Sequence, residues 1–192
     1  GGFIGVDVFF VISGYLITNI ILKKKNNFDI KEFYIRRFKR LFPIIFLITI
    51  LTIIAGIFIL SPTHFERLTS SSKSTIFGLS NFFFFREQGY FDHQKLFKPL
   101  LHTWSLSVEI QFYIIWPIII IFFKKYFNKN ILTLIISILL ISLILSTLYS
   151  FRTSSFFYFT GFRFYEFMVG ALIVFFKKKI SNNLSNLFFL IG

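Results

Sequence analysis

The chain has 192 residues, of which 55% are hydrophobic, and its mean hydropathy of +0.74 exceeds what a soluble domain of this size could hide in a core. It therefore belongs in a bilayer. The absence of cysteine excludes disulfides, thiolate chemistry and cysteine-ligated metals.

Five apolar stretches are long enough, or nearly so, to cross about 30 Å of hydrocarbon at about 1.5 Å per residue. They predict an all-α fold, a polytopic transmembrane helix bundle in which residues 1–192 are part of one membrane-embedded domain. A sixth apolar run begins at Leu184, and because the chain also starts at Gly1 rather than Met, we interpret it as a fragment cut at both ends. The predicted spans are residues 3–22, 41–60, 104–123, 131–149 and 161–176.

The segment 61–103 separates the second predicted span from the third. Its stretch 75–85 is apolar but too short to cross the bilayer. We therefore expect an outer loop that contains a short apolar helix, either interfacial or re-entrant.

Basic residues predict the orientation, because Lys and Arg are retained on the cytoplasmic side of short loops. They cluster at residues 23–40, 124–130 and 177–179, which are alternate loops and together hold 14 of the 21 basic residues. The Gly1 end and the segments 61–103 and 150–160 then face outward. The net charge of +13 is mostly a signal of topology, and nucleic-acid binding is a poor explanation for it.

Four ionisable residues lie close to the outer starts of the first, third and fifth spans: Asp7, Glu109, Arg163 and Glu166. Each should lie roughly 5–9 Å below the outer end of its helix. Exposing such groups to lipid is costly, at about 2.5–3.5 kcal/mol for an Asp, Lys or Arg at a span centre. We therefore expect the four side chains to converge in one polar site that opens outward.

A polar stripe is predicted on the third span if its helix begins near residue 100. His102, Ser105 and Glu109 then share one face, with Tyr113 next along it. These residue types could form a nucleophilic triad, but one helix face spreads them along about 10 Å. The alternative is that Ser105 satisfies a backbone carbonyl while His102 lies at the interface.

Two further groups of charged residues each allow two interpretations. Arg163 can pair with Glu166 on one turn or reach across to Glu109. The cluster formed by Arg37, Arg40 and their basic neighbours before the second span is either a positive-inside anchor or a phosphate clamp. The histidines of the outer loop are not spaced as metal ligands, and we predict no metal site.

Four stretches of the chain carry a more specific pattern. They read GGFIGVDVFFVISGYLIT (1–18), FYIRRFKRLFP (33–43), LLHTWSLSVEIQFYIIWP (100–117) and RFYEFMVG (163–170). In order and spacing these stretches resemble the first half of the integral-membrane acyltransferase-3 family, which includes bacterial O-acetyltransferases of surface polysaccharides and peptidoglycan.

The resemblance implies a multi-pass enzyme of the bacterial plasma membrane that moves an acyl group, commonly acetyl, from cytoplasmic coenzyme A to a glycan hydroxyl at the outer face. The acyl-coenzyme A is then a donor substrate rather than a bound cofactor, and membrane lipid and the glycan are the other partners. Arg37 and Arg40 match the family's Arg-x-x-Arg pattern and would bind the donor. The other residues on family motif positions are His102, Glu109, Asp7, Arg163, Glu166 and Gly14.

One departure from the family pattern concerns the catalytic base. The family's first span carries an Arg and, eleven residues later, a His taken to be that base, and both would precede Gly1. We therefore expect Glu109, His102 and Asp7 to support catalysis rather than abstract the proton, and residues 1–192 alone to be inactive.

Two other classes of function would also explain charges within spans or an envelope location. A transporter or exporter of a lipid-linked or anionic glycan would place charges near the midplane on repeated or broken helices, whereas these charges cluster toward one face. A scaffold in an envelope-assembly complex would need no aligned carboxylates. Both remain alternatives to an acyltransferase.

Overall fold

The computed structural model describes residues 2–24, 28–87, 98–127, 130–150 and 158–176. Within these ranges the regular structure is helical, which confirms the predicted all-α membrane bundle. The basic cluster 177–179 and the apolar run from Leu184 lie outside the described residues. The helices are α1 (Gly2–Lys23), α2 (Ile30–Ile59), α3 (Pro62–Ile76), α4 (Ser80–Glu87), α5 (Thr103–Phe127), α6 (Ile131–Ser150) and α7 (Thr160–Ile173).

Four of these helices are long and apolar enough to cross a membrane: α1, α2, α5 and α6. The fifth predicted span, 161–176, is helical only as α7, whose 14 residues cover about 21 Å. That length falls short of about 30 Å of hydrocarbon. Helix α7 is largely buried between α1 and α6, so neighbouring helices rather than lipid surround much of it.

Helix α2 begins well before the predicted span 41–60. The Asp29 side chain caps it by accepting hydrogen bonds from the backbone N–H groups of Lys31 and Glu32, at 2.8 and 3.2 Å. The basic segment 23–40, which we expected in a loop, is therefore helical from Ile30 onward, and Pro43 lies inside the helix without ending it. As a result, the side chains of residues 31–40 lie on a rigid element, and several of them face the end of α1 across a shared cleft.

The described part of the segment 61–103, residues 61–87 and 98–103, contains two helices where one was predicted. The expected short helix over 75–85 is interrupted at Gly78, whose φ of 66° is the left-handed conformation that favours glycine. Helix α3 packs along α2, and the turn at Gly78 contacts Ile110 of α5. Ile110 lies about 10 Å along α5 from its first residue, so the pair α3–α4 folds back into the bundle, as a re-entrant segment does.

The contact between α1 and α7 depends on two glycines. A Cβ atom at Gly14 would collide with the backbone carbonyl of Phe167, and one at Gly170 with the carbonyl of Val11. The two backbones can therefore approach more closely than larger residues would permit. The Phe167 ring then stacks on Phe112 of α5, with 4.0 Å between centroids, so α7 joins α1 to α5 in the core.

Candidate active site

Glu109 of α5 is 2% exposed and lies where α1, α2 and α5 meet. The hydroxyl groups of Ser13 on α1 and Tyr113, one turn further along α5, both donate hydrogen bonds to its Oε1 atom. Its Oε2 atom is also buried and has no hydrogen-bond partner among the described residues. The carboxyl group thus retains acceptor capacity in the protein interior.

Arg37 of α2 approaches the same carboxyl group from the side of α2. Its guanidinium lies over two aromatic rings, 5.4 Å from the centroid of Tyr113 and 5.5 Å from that of Phe33. Arg40 lies three residues further along α2. The structure therefore brings one predicted donor-binding arginine, Arg37, beside the hydrogen-bonded pair of Tyr113 and Glu109.

A basic cleft of about 490 Å³ lies between the end of α1 and the first half of α2. Within it Glu32 pairs with Lys24 at 3.2 Å and also with Arg36. The charged side chains that line this basic cleft are Lys23, Lys24, Asp29, Glu32, Arg36, Arg37 and Arg40. Five cations against two carboxylates give the cleft a net positive charge, which suits phosphate groups.

The other predicted charges form a separate cluster. Arg163 donates hydrogen bonds to Asp7 at 3.1 Å and to Glu166 at 2.5 Å, so it pairs along its own turn and with α1 rather than with Glu109. The expectation of one shared depth is wrong for Glu109. Its partner Ser13 lies about 9 Å further along α1 than Asp7.

His102 and Ser105 do not form a triad with Glu109. Helix α5 begins at Thr103, so His102 lies in the preceding turn and is exposed, while the Ser105 hydroxyl donates to the His102 carbonyl at 3.1 Å. This confirms the backbone role expected for Ser105. Both residues line a cavity of about 370 Å³ that also includes Gly5 and Ile45. We name it the outer cavity because it lies at the end of the bundle that the basic residues predict to face outward.

Sequence reasoning missed several uncharged polar partners. Ser13 was not singled out, although it supplies one of the two hydrogen bonds to Glu109. A second network links Gln111 to Asn81 at 2.9 Å and to the Gly78 carbonyl at 3.1 Å, and Thr160 donates to Gln111. Amides within an apolar run were the available signal, since buried amides require partners.

Comparison with known proteins shows which family model matches the chain. The family model described as an acyltransferase domain, Acyl_transf_3, matches residues 1–192. No solved structure matches.

Among curated proteins, the chain is 40% identical over 154 residues to the peptidoglycan O-acetyltransferase OatA of Listeria monocytogenes, covering 77% of this chain and 25% of that protein. It is 34% identical over 198 residues to the O-acetyltransferase OatA of Staphylococcus aureus, covering 96% of this chain and 32% of that protein. A Haemophilus influenzae protein described as uncharacterized is 38% identical, with 94% of this chain and 76% of that protein covered. The chain thus spans a quarter to a third of the two O-acetyltransferases.

Proposed function

The chain belongs to the acyltransferase-3 family, and from that premise we propose that it forms part of a membrane O-acyltransferase domain. The proposed reaction moves an acyl group, acetyl in the simplest case, from a coenzyme A thioester to a hydroxyl of a cell-wall or envelope glycan. The relative named as a peptidoglycan O-acetyltransferase supports a glycan acceptor, and the relative named as an O-acetyltransferase supports transfer of an acetyl group to oxygen. The proposed location is the bacterial plasma membrane, with several helices crossing it.

The observation that carries this proposal is the position of Arg37. Its side chain borders the basic cleft on one side and lies over the ring of Tyr113 on the other, and the Tyr113 hydroxyl donates to Glu109. Guanidinium groups match phosphate oxygens in a bidentate geometry, so the cleft suits the phosphates of coenzyme A. A donor bound there would point its thioester toward the buried carboxylate.

In the proposed reaction the glycan hydroxyl oxygen bonds to the thioester carbonyl carbon and the carbon–sulfur bond breaks. The hydroxyl proton ends on the coenzyme A sulfur, so the products are an O-acyl glycan and free thiol. We assign to Glu109 the orientation of the reacting groups and the charge near the thioester. We assign to Arg37 and Arg40 the binding of the donor. His102 in the outer cavity and the cluster of Asp7 with Arg163 would support the acceptor side.

Replacing Glu109 by Gln in the full-length protein tests this assignment. The amide keeps the size of the side chain but removes its charge and offers the two hydroxyl donors a weaker acceptor. We expect acyl transfer from acetyl-coenzyme A to soluble peptidoglycan strands to fall by about 100-fold or more, as when a preorganised polar group is lost. The thermal unfolding midpoint in detergent should stay close to that of the unaltered protein.

Glu66→Gln is the matched control, because it makes the same change at an exposed position of α3. Its rate of acyl transfer should equal that of the unaltered protein. If Glu109→Gln also kept full activity, the carboxylate would have no part in the reaction and a scaffold role would be favoured.

A further inference from the structure

An apolar cavity of about 540 Å³ lies between α2, the turn from α3 to α4, and α5. Its volume falls in the range of ligand pockets, roughly 300–1,000 Å³. Aliphatic and aromatic side chains supply most of its wall, among them Leu41, Ile45 and Ile110. Arg37 and Tyr113 also border it, so one part of this apolar wall carries a cation and a hydroxyl group.

Arg37 connects the apolar cavity with the basic cleft, because its side chain lines both. A molecule with anionic groups in the cleft and an apolar end could therefore reach past Arg37 into the cavity. Tyr113 at the cavity wall donates to Glu109, so the apolar end would pass beside the buried carboxylate. An acyl thioester of coenzyme A has this division of polarity, with phosphates at one end and a hydrocarbon chain at the other.

Ile45 lies where the apolar cavity meets a second cavity. Its side chain is 5% exposed and lines both this cavity and the outer cavity that contains His102. Along α2, Ile45 lies about 12 Å beyond Arg37. The hydrocarbon chain therefore has a limited length available before it meets the Ile45 side chain.

We propose that the apolar cavity receives the acyl chain of the donor and that Ile45 sets the longest chain that the protein accepts. This inference rests on the proposed acyl transfer and adds the residue that determines donor specificity. Burying one additional methylene group is worth about 0.8 kcal/mol, which corresponds to about a fourfold preference for the longer donor. The size of residue 45 should thus change the preference between donors more than it changes the use of acetyl groups.

The test compares acetyl-, propionyl- and butyryl-coenzyme A as donors for the full-length protein in membrane vesicles, with soluble peptidoglycan strands as acceptor. Ile45→Ala should raise the ratio of kcat/KM for butyryl over acetyl by about fourfold or more, and Ile45→Phe should lower it by at least as much. Leu47→Ala and Leu47→Phe are matched controls, because Leu47 is 59% exposed on the same helix and lines none of the three cavities. Both controls should keep the original ratio.

Leu41→Phe and Leu41→Ala provide a second pair from the cavity wall if either Ile45 variant fails to fold. Acetyl transfer with unchanged donor ratios in all cavity variants would overturn the inference and leave the proposed function intact, as expected if a membrane lipid chain fills the cavity instead. If the unaltered protein used none of the three donors, the proposed function itself would be rejected, and this inference with it.

Discussion

Arg163 shows how a single side chain keeps two carboxylates in the bundle. It is 8% exposed, and its guanidinium contacts Asp7 on α1 as well as Glu166 on its own helix. Taking such charges out of water is costly unless partners compensate them. The arginine also lies 6.0 Å from the centroid of the Trp104 ring, which adds a cation–π contact.

Arg163→Met should lower the free energy of unfolding by about 3–5 kcal/mol, because it leaves the buried Glu166 carboxylate uncompensated. Adding Glu166→Gln to that variant should recover part of the loss, since the unpaired charge is then removed. Unfolding by SDS in mixed micelles measures both changes, and a double-mutant cycle gives the coupling energy. Equal stability of Arg163→Met and the unaltered protein would mean that these ion pairs contribute nothing to folding.

The sequence identified the charged residues of the bundle better than it identified their partners. Glu109 and Arg163 were conspicuous because ionisable groups within spans are costly. Ser13 was not, since serine is common in transmembrane helices and its hydroxyl can bond to its own backbone. Which residues meet also depends on how each helix is rotated about its axis, and hydropathy does not specify that rotation. This is why Arg163 was found with Asp7 and not with Glu109.

Among the helices that the structure describes, α1 and α7 form the most extensive contact, and glycine determines how close they come. Besides the carbonyl of Val11, a Cβ atom at Gly170 would lie 2.8 Å from the backbone nitrogen of Tyr15. Backbone atoms cannot move aside as the end of a flexible side chain can. Any larger residue at this position must therefore push the two helices apart.

Gly170→Ala should therefore lower the free energy of unfolding by about 1–3 kcal/mol, the usual cost of adding atoms to a packed core. Gly5→Ala is the matched control, because nothing lies within 4 Å of a Cβ atom there. In a helix interior that control should be neutral or stabilising by up to about 1 kcal/mol. The same micelle titration measures both variants, and equal effects would show that the helices adjust without cost.

The existence of the long helices could be predicted from hydropathy, but their ends could not. Helix α2 starts at Ile30 because Asp29 caps it, and ten further residues with a high content of charge continue the helix before the apolar run. The break at Gly78 depends on its left-handed backbone conformation, with φ of 66°. The presence of a glycine in the sequence does not by itself predict that conformation. Helix α7 is short, and burial between α1 and α6 explains how it lies within the bundle without the length of a full span.

Three cavities follow one another along α2. The basic cleft borders the apolar cavity at Arg37, and the apolar cavity borders the outer cavity at Ile45. Because α2 crosses the bundle, the three cavities together extend from one end of the bundle to the other. One end carries the basic cluster 23–40, and the other end carries His102. The proposed transfer from a cytoplasmic donor to an outer glycan requires that the basic cleft face the cytoplasm.

Site-directed labelling tests that orientation directly, since the chain has no cysteine and each introduced cysteine would be unique within it. Thr63→Cys lies at the exposed start of α3, and Tyr126→Cys replaces a side chain that is 62% exposed near the end of α5. The positive-inside pattern predicts that a membrane-impermeant maleimide added to intact cells labels residue 63 and reaches residue 126 only after the membrane is opened. The reverse result would place the basic cleft on the outer side, where cytoplasmic coenzyme A could not reach it, and would contradict the donor assignment of Arg37 and Arg40.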